Sequence, residues 1–209
     1  IIMKRLVVFD FDGTLTTHDT LIELLRFARG PVRLALALLV LSPLLVLMKL
    51  HLANNGRVKE RLFSLYFKGM RFEDFDQLCQ RFAAERGQAL RRPATWKVLD
   101  RALKAGDEVA VVSASINNWV APFFHGLNAM IIGTQIEVAD GRLTGRFATP
   151  NCYGEEKVRR LIKELPALKE RNHYYIIAFG DSRGDREMLA YADEGHYLGK
   201  HNPSKKEER

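Results

Sequence analysis

The chain has 209 residues, enough for one domain with a buried core and one insertion. Its net charge of +7 favours anionic partners, such as phosphorylated substrates or an anionic bilayer surface. It lacks a zinc-finger spacing, an RNA-binding aromatic signature and a recognition-helix pattern, which argues against nucleic acid. Cys79 and Cys152 lie far apart and the six histidines are scattered, which predicts reduced thiols and no zinc site. The N-terminus leads directly into a predicted strand without a secretory signal, so we expect a cytoplasmic protein.

The first predicted strand ends on two carboxylates. Residues 6–9 are a continuous apolar run, typical of a strand buried on both faces of a parallel sheet. Asp10 and Asp12 follow, and they project to the same side because side chains alternate along an extended chain. Two carboxylates this close repel unless a cation or proton lies between them, so the pair is a candidate for metal binding or acid–base catalysis. A capping Asp before a glycine turn would give the same local pattern.

The next part of the chain has helical patterns. Residues 17–29 predict one helix, and residues 58–67 and 72–90 predict two amphipathic helices after a turn at residues 54–56. We therefore expect an all-helical insertion over residues 17–92.

An apolar segment at residues 31–50 interrupts these helices. Residues 34–48 are apolar except for Ser42 and Pro43, and as a helix they would span roughly 22 Å, less than the roughly 30 Å of a bilayer core. Pro43 would kink or break the helix. A single crossing of a membrane would also separate Asp10 from the later strands.

Three environments remain open for the apolar segment: a membrane surface, the dry centre of the helical insertion, or a second copy of the chain in a homodimer. Basic residues flank both ends, as expected if both ends stay at an anionic cytoplasmic face. These residues are Arg26, Arg29, Arg33, Lys49, Arg57, Lys59 and Arg61.

Two later strands also end on polar side chains. Residues 109–112 predict a buried strand that ends at Ser113, and residues 174–180 predict another that ends at Asp181, with Asp185 four positions on. Further elements are expected as a helix at 93–105, a helix at 116–124 capped by Ser115, a short strand at 130–132, a hairpin of 134–138 with 142–147, helices at 154–164 and 184–190, a strand at 196–198 and a frayed tail at 201–209.

Lys157 stands in the first turn of its predicted helix, where the helix dipole disfavours a cation unless an anion is near. Taken singly, Lys157 could pair with Glu155 or Glu156, and Ser113 and Asp185 could be helix caps. Taken together with the aspartates at the other strand ends, they predict a single site.

Four motifs carry a family resemblance: Asp-Phe-Asp-Gly-Thr-Leu-Thr at residues 10–16, then Ser113, then Lys157, then Gly-Asp-Ser-Arg-Gly-Asp at residues 180–185. In this order they resemble the motifs of the haloacid dehalogenase superfamily of phosphohydrolases, and the match spans residues 4 to about 198.

The resemblance implies an α/β fold with a Rossmann-like parallel sheet core and an inserted all-helical cap, near the phosphoserine-phosphatase-like branch. The core would comprise residues 1–16 and 93–209, and the cap residues 17–92. Amino-acid phosphatases of that branch carry Ser after the second Asp, whereas Gly13 stands here.

The resemblance also implies a phosphatase mechanism. Asp10 would attack phosphorus to give an aspartyl-phosphate, and Asp12 would move protons to the leaving group and from water. Mg²⁺ would be held by Asp10, the backbone carbonyl of Asp12, and Asp181.

The remaining motif residues would serve the phosphoryl group. Ser113 and the amide of Ala114 would hydrogen-bond its oxygens, and Lys157 would neutralise the side away from the metal. Asp185 would orient Asp181 or a metal-bound water.

The apolar segment and residues 151–157 most resemble the phosphatidylglycerophosphatases of the superfamily, which implies a phospholipid phosphate as substrate and a peripheral position on the inner face of the membrane. The alternatives are a soluble phosphatase of small metabolites and a membrane-associated binding protein without turnover.

Overall fold

The computed structural model describes residues 3–49, 55–170 and 173–199. Seven strands lie in this part of the chain: β1 Lys4–Phe9, β2 Glu108–Ile116, β3 Met130–Thr134, β4 Ile136–Ala139, β5 Arg142–Phe147, β6 Tyr174–Gly180 and β7 Glu194–Tyr197. Its α-helices are α1 Thr20–Val40, α2 Ser42–Lys49, α3 Asn55–Phe67, α4 Phe72–Leu90, α5 Pro93–Ala105, α6 Asn117–Val120, α7 Glu155–Glu164 and α8 Arg186–Tyr191.

Five strands form a parallel sheet in the order β3-β2-β1-β6-β7. The apolar run of β1 is buried on both faces, because Leu6 and Val8 pack into one hydrophobic cluster and Val7 and Phe9 into the other. This arrangement confirms the predicted α/β parallel sheet core.

The first helix of the insertion begins at Thr20, later than predicted, because Asp19 caps it by accepting hydrogen bonds from the N–H groups of Leu21 and Ile22. It continues past residue 29 across a kink at Gly30, whose φ is +80°. Leu41 then separates α1 from α2. Pro43 lies in the first turn of α2, where a helix tolerates proline because the N–H groups there have no partner within the helix.

The apolar segment is mostly exposed over residues 31–46, where the structure describes its side chains. Leu34 and Leu41 are buried, but the exposed fractions are 72% for Val32, 57% for Leu36 and 69% for Leu39. Within the described residues, only part of the segment is therefore buried inside the helical insertion. No helix in the described ranges is long and apolar enough to cross a bilayer.

The hairpin of β4 and β5 is not part of the main sheet and packs on the cap. The Leu143 N–H donates to Met70 O at 2.9 Å, and the rings of Phe63 and Phe147 lie 5.9 Å apart. The predicted core range 93–209 thus contains one hairpin that contacts the predicted cap.

One predicted helix cap is wrong. The predicted helix 116–124 is divided into α6 and a 3₁₀ segment at Ala121–Phe124, and the residue at the cap position is Ile116. Ser115 lies inside β2 and uses its hydroxyl elsewhere.

Cys79 and Cys152 are buried and form no disulfide. The tail 201–209 and Asn54 of the predicted turn lie outside the described residues.

Candidate active site

The carboxyl ends of β1, β2 and β6 lie side by side, because β1 pairs in parallel with both neighbours. A cavity of about 500 Å³ opens at this edge of the sheet. Six predicted site residues line it: Asp10, Asp12, Ser113, Ala114, Lys157 and Asp181. Asp185 is fully buried beneath them.

Lys157 joins two of the carboxylates. Its Nζ lies 2.5 Å from Oδ1 of Asp10 and 2.5 Å from Oδ1 of Asp185, and it donates to the carbonyl of Val112 at 2.9 Å. Burial alone would lower the pKa of Lys157, but the two carboxylates raise it above its ordinary value. These ion pairs, and not the neighbouring glutamates, compensate the cation at the helix start.

Asp185 is held as an anion by several donors. Its Oδ2 accepts hydrogen bonds from the N–H of Asp181 at 3.2 Å, the N–H of Ser182 at 2.9 Å and the hydroxyl of Ser182 at 2.7 Å. Burial would raise the pKa of Asp185, but Lys157 and Ser182 lower it. The bond to Ser182 also completes a capping box, so the capping alternative and the contact with Asp181 coexist.

Three carboxylates gather here, because oxygens of Asp10, Asp181 and Asp185 all lie within 4.8 Å of one another. Burial, followed by the charge of Asp185, raises the pKa of Asp10 to about 8 against the opposing effect of Lys157. Burial and Asp185 also raise the pKa of Asp181. When ionised together, these three carboxylates outnumber the Lys157 cation that two of them share, and their hard oxygen donors suit a divalent cation such as Mg²⁺.

Gly13 allows one of these carboxylates to lie against the backbone. Its φ is +80°, and a Cβ added there would lie 2.1 Å from Oδ2 of Asp181. Thr14 then donates from its hydroxyl to Oδ1 of Asp181 at 3.2 Å. The replacement of Ser by Gly noted at this position therefore fits both the local backbone and the position of the carboxylate.

Asp12 is fixed by residues that sequence reasoning missed. Its Oδ1 accepts hydrogen bonds from the N–H of Thr20 at 2.7 Å and the hydroxyl of Thr20 at 2.6 Å, and its Oδ2 accepts a short hydrogen bond from Ser115. Trp119 donates from Nε1 to the Thr20 hydroxyl at 3.2 Å. Asp12 is thus held between the end of β2 and the first residue of α1.

Ser113 and Ala114 lie on the cavity wall, within β2. The Ser113 hydroxyl oxygen accepts a hydrogen bond from the N–H of Ser115 at 3.0 Å, and Ala114 O accepts one from Thr134 at 3.0 Å. Ser113 is therefore no helix cap. A hydroxyl in this position can still donate its hydrogen to a ligand.

The cap adds polar side chains to the cavity that were not predicted as site residues. His18 and Asp19 come from the start of the cap, and Lys59 comes from α3. No local pattern marks them, because their position depends on how the cap folds over the sheet. The sequence predicts Lys59 only as one of the basic flanks of the apolar segment.

The chain is similar to several known proteins. It is 36% identical to protein CicA of Caulobacter vibrioides over 194 residues, which cover 92% of this chain and 85% of CicA. It is 29% identical to a phosphoserine phosphatase of Archaeoglobus fulgidus, over 92% of this chain and 52% of that protein. The solved structure of a Bordetella pertussis protein of unknown function is similar with a TM-score of 0.74, at 21% identity and over 90% of this chain and 86% of that one.

The sequence model of the haloacid dehalogenase-like hydrolase family matches residues 7–190 of this chain. This range includes every predicted site residue. This match confirms the expected hydrolytic enzyme and supports the predicted phosphatase. The chain belongs to the haloacid dehalogenase-like hydrolase family.

Proposed function

We propose that the protein is a Mg²⁺-dependent phosphomonoester hydrolase that works through an aspartyl-phosphate on Asp10. The observation that carries the proposal is one cavity that brings a buried nucleophile candidate, a separate carboxylate and a buried cation together. The similarity to a phosphoserine phosphatase of Archaeoglobus fulgidus supports the same class of reaction.

The residues suit a magnesium ion. Side-chain oxygens of Asp10 and Asp181 would hold it together with the backbone carbonyl of Asp12, and Asp185 would orient Asp181 through the N–H contact. When bound, the ion supplies positive charge that reduces the repulsion between a carboxylate and a phosphate dianion.

Asp10 acts as the nucleophile in the first step. One of its oxygens forms a bond to phosphorus, the ester bond to the leaving alcohol breaks, and Asp12 gives that alcohol a proton. Lys157 holds Oδ1 of Asp10, which fixes the direction of the other oxygen. Ser113 and the Ala114 N–H donate to the phosphoryl oxygens as charge spreads over them.

Water completes the reaction in the second step. Asp12 takes a proton from the water as its oxygen bonds to phosphorus, the acyl-phosphate bond breaks, and inorganic phosphate leaves. Asp12 is thus returned to its protonated form. Its donors Ser115 and Thr20 fix its position for both transfers.

Release of phosphate from an aryl phosphate, with and without Mg²⁺, tests this function. We expect Mg²⁺-dependent turnover that falls by more than about 1000-fold in Asp10→Asn. Asp100→Asn is a matched control, because Asp100 is exposed on α5 and forms its ion pair in the described structure with Lys104. An inactive wild-type protein, or turnover that Asp10→Asn leaves unchanged, would refute the proposal.

A phospholipid phosphate such as phosphatidylglycerophosphate is our candidate for the substrate, as in phosphatidylglycerophosphatase C, which the sequence around Lys157 resembles. The specific observation is the exposed apolar surface of α1 and α2, which we define as Val32, Leu36, Leu39, Val40 and Val46. With the basic residues Arg29 and Arg33 beside it, this surface suits peripheral contact with the anionic inner face of a membrane.

The alternative is a soluble small metabolite, which the phosphoserine phosphatase relative supports. Turnover of phosphatidylglycerophosphate in mixed micelles, compared with a panel of soluble phosphomonoesters that includes phosphoserine, separates the two. A preference of at least about tenfold in kcat/KM for the lipid supports the first candidate. The same preference for a soluble ester supports the second.

A further inference from the structure

A second cleft lies outside the catalytic cavity, between α3 and strand β5. Its volume is about 980 Å³, and Leu44 of α2 borders it on the side of the apolar surface. It is lined by Leu44, Arg57, Glu60, Arg61, Ser64, Lys68, Thr144, Gly145 and Arg146. We call it the basic cleft.

Helix α3 separates the basic cleft from the catalytic cavity. Residues spaced by three or four positions lie on one face of a helix. Arg57, Arg61 and Ser64 have this spacing on α3, and Lys68 continues it just past the end of the helix. Lys59 lines the catalytic cavity and lies about 200° around the helix from Arg57. The cations of the two cavities therefore belong to two distinct sites.

Three of the four cations that line the basic cleft have no anionic partner among the described residues. Within the described residues, Arg57, Arg61 and Lys68 form no ion pair, whereas Arg146 binds Glu137 at 3.0 Å. Arg57 and Arg61 lie four positions apart in a helix, where like charges repel and destabilise it slightly. An arrangement that is unfavourable in isolation becomes favourable when an anion is bound.

The single acidic side chain that lines the basic cleft is already engaged. Oε1 of Glu60 accepts a hydrogen bond from the N–H of Phe147 at 2.8 Å, which ties α3 to β5. Glu60 therefore fixes the wall of the cleft, and its one negative charge is outnumbered by the cations of Arg57, Arg61 and Lys68.

Gly145 keeps the floor of the basic cleft open. Its φ is +82°, and a Cβ added there would lie 2.6 Å from the Ser64 hydroxyl oxygen and 3.1 Å from Cβ of Lys68. Any other residue would fill the space between the strand and α3. The hydroxyl of Ser64 remains beside the cations as a neutral hydrogen-bond donor.

We propose that the basic cleft binds a phosphate group at a site separate from the catalytic centre. Arginine side chains present planar arrays of donors that match phosphate oxygens, and two of them stand here with a lysine and a hydroxyl. The phosphate belongs either to a soluble molecule or to the headgroup of an anionic bilayer that contacts the adjacent α2. This inference does not depend on the proposed reaction.

Sedimentation with vesicles tests the bilayer source. The probe is phosphatidylcholine vesicles with about one third phosphatidylglycerol, in a buffer near physiological salt. We expect Arg57→Gln with Arg61→Gln to weaken binding by about 30-fold, because each cation near an anionic surface contributes about fivefold. Lys97→Gln with Lys163→Gln removes the same charge from exposed positions on α5 and α7 and is the matched control.

Titration with inorganic phosphate in the absence of vesicles tests the soluble source. The Nε–H NMR resonances of Arg57 and Arg61 report on this cleft alone, whichever ligand the catalytic cavity binds. Saturable shifts without vesicle binding would assign a soluble phosphate, and vesicle binding that depends on the two arginines would assign a headgroup. Both results support the site.

The proposal is overturned if neither probe binds, or if the control pair loses as much vesicle binding as the arginine pair. Lys68→Gln, beyond the end of α3, repeats the test without changing the helix. Aryl phosphate turnover should stay at the wild-type level in the arginine pair, so a failure of the basic cleft and a failure of the proposed reaction are distinguishable.

Discussion

The hydroxyl of Ser115 donates a hydrogen bond to Oδ2 of Asp12, although the two residues stand 103 positions apart in the chain. The bond connects the end of β2 with the residue that follows β1 by three positions. Because Thr20 of the cap holds the other oxygen of Asp12, both the core and the cap determine the direction of this carboxylate. A residue that transfers protons needs such a fixed direction.

We expect Ser115→Ala to lower kcat on an aryl phosphate by roughly 10- to 100-fold with little change in KM. A hydrogen bond to a charged group is worth about 1.5 to 3 kcal/mol, and Asp12 loses one of its donors. Ser115→Thr should restore part of the rate, because it keeps the hydroxyl. Full activity of Ser115→Ala, alongside an inactive Asp12→Asn, would show that this bond does not position Asp12.

Gly13→Ala should raise the Mg²⁺ concentration that gives half-maximal turnover by at least tenfold. The added Cβ would occupy the place of the Asp181 carboxylate, and the backbone at φ +80° would be strained by about 1 kcal/mol. Titration of turnover with Mg²⁺ measures the effect, and urea unfolding measures the strain.

Gly106→Ala is the control for that strain. Gly106 has a φ of +77°, and a Cβ there would meet nothing within 4 Å. We expect both variants to lose similar stability, with only Gly13→Ala affecting Mg²⁺. Equal Mg²⁺ dependence in the two variants would exclude a role for the close approach of Asp181.

Lys157→Met should lower the free energy of unfolding by about 3 to 5 kcal/mol in the presence of a chelator. The substitution leaves Asp10 and Asp185 buried without their shared cation. Urea unfolding at neutral pH is the measurement. Adding Asp185→Asn should recover part of the loss, because one uncompensated charge is then removed.

Lys163→Met on the same helix is the matched control, since Lys163 is exposed and its loss should change stability by less than about 0.5 kcal/mol. A loss in Lys157→Met no greater than in this control would mean that the buried ion pairs contribute little to stability.

The central features of the fold follow from short patterns. Apolar runs that end on Asp10, Ser113 and Asp181 indicate strands of a parallel sheet, and the carboxyl ends of such strands meet at one edge. For that reason the sequence could predict which distant residues would share a cavity. Lys157 was identifiable because a cation at a helix start requires a nearby anion.

The contacts between the core and the cap could not be predicted in this way. Thr20 contacts Asp12, and Lys59 lines the cavity, only through the packing of the cap, which no local periodicity specifies. Ser115 did carry a signal, since it lies two positions from Ser113 and side chains repeat with a period of two along a strand. Because Ser115 was interpreted as a helix cap, the predicted end of β2 came too early, and the side-chain alternation that includes Ser115 was missed.

The exposed apolar surface leads to the last prediction, which concerns the substrate. We expect Leu36→Asp with Leu39→Asp to lower turnover of phosphatidylglycerophosphate in mixed micelles by at least tenfold, because carboxylates there oppose contact with an anionic interface. Aryl phosphate turnover should not change, since neither side chain lines the catalytic cavity.

Leu127→Asp is the control, as Leu127 is exposed by 38% on the side of the sheet core. Loss of lipid turnover in the control as well would attribute the effect to charge alone. If the two Asp substitutions instead convert a dimer to a monomer in sedimentation velocity and leave lipid turnover intact, the surface binds a second copy of the chain.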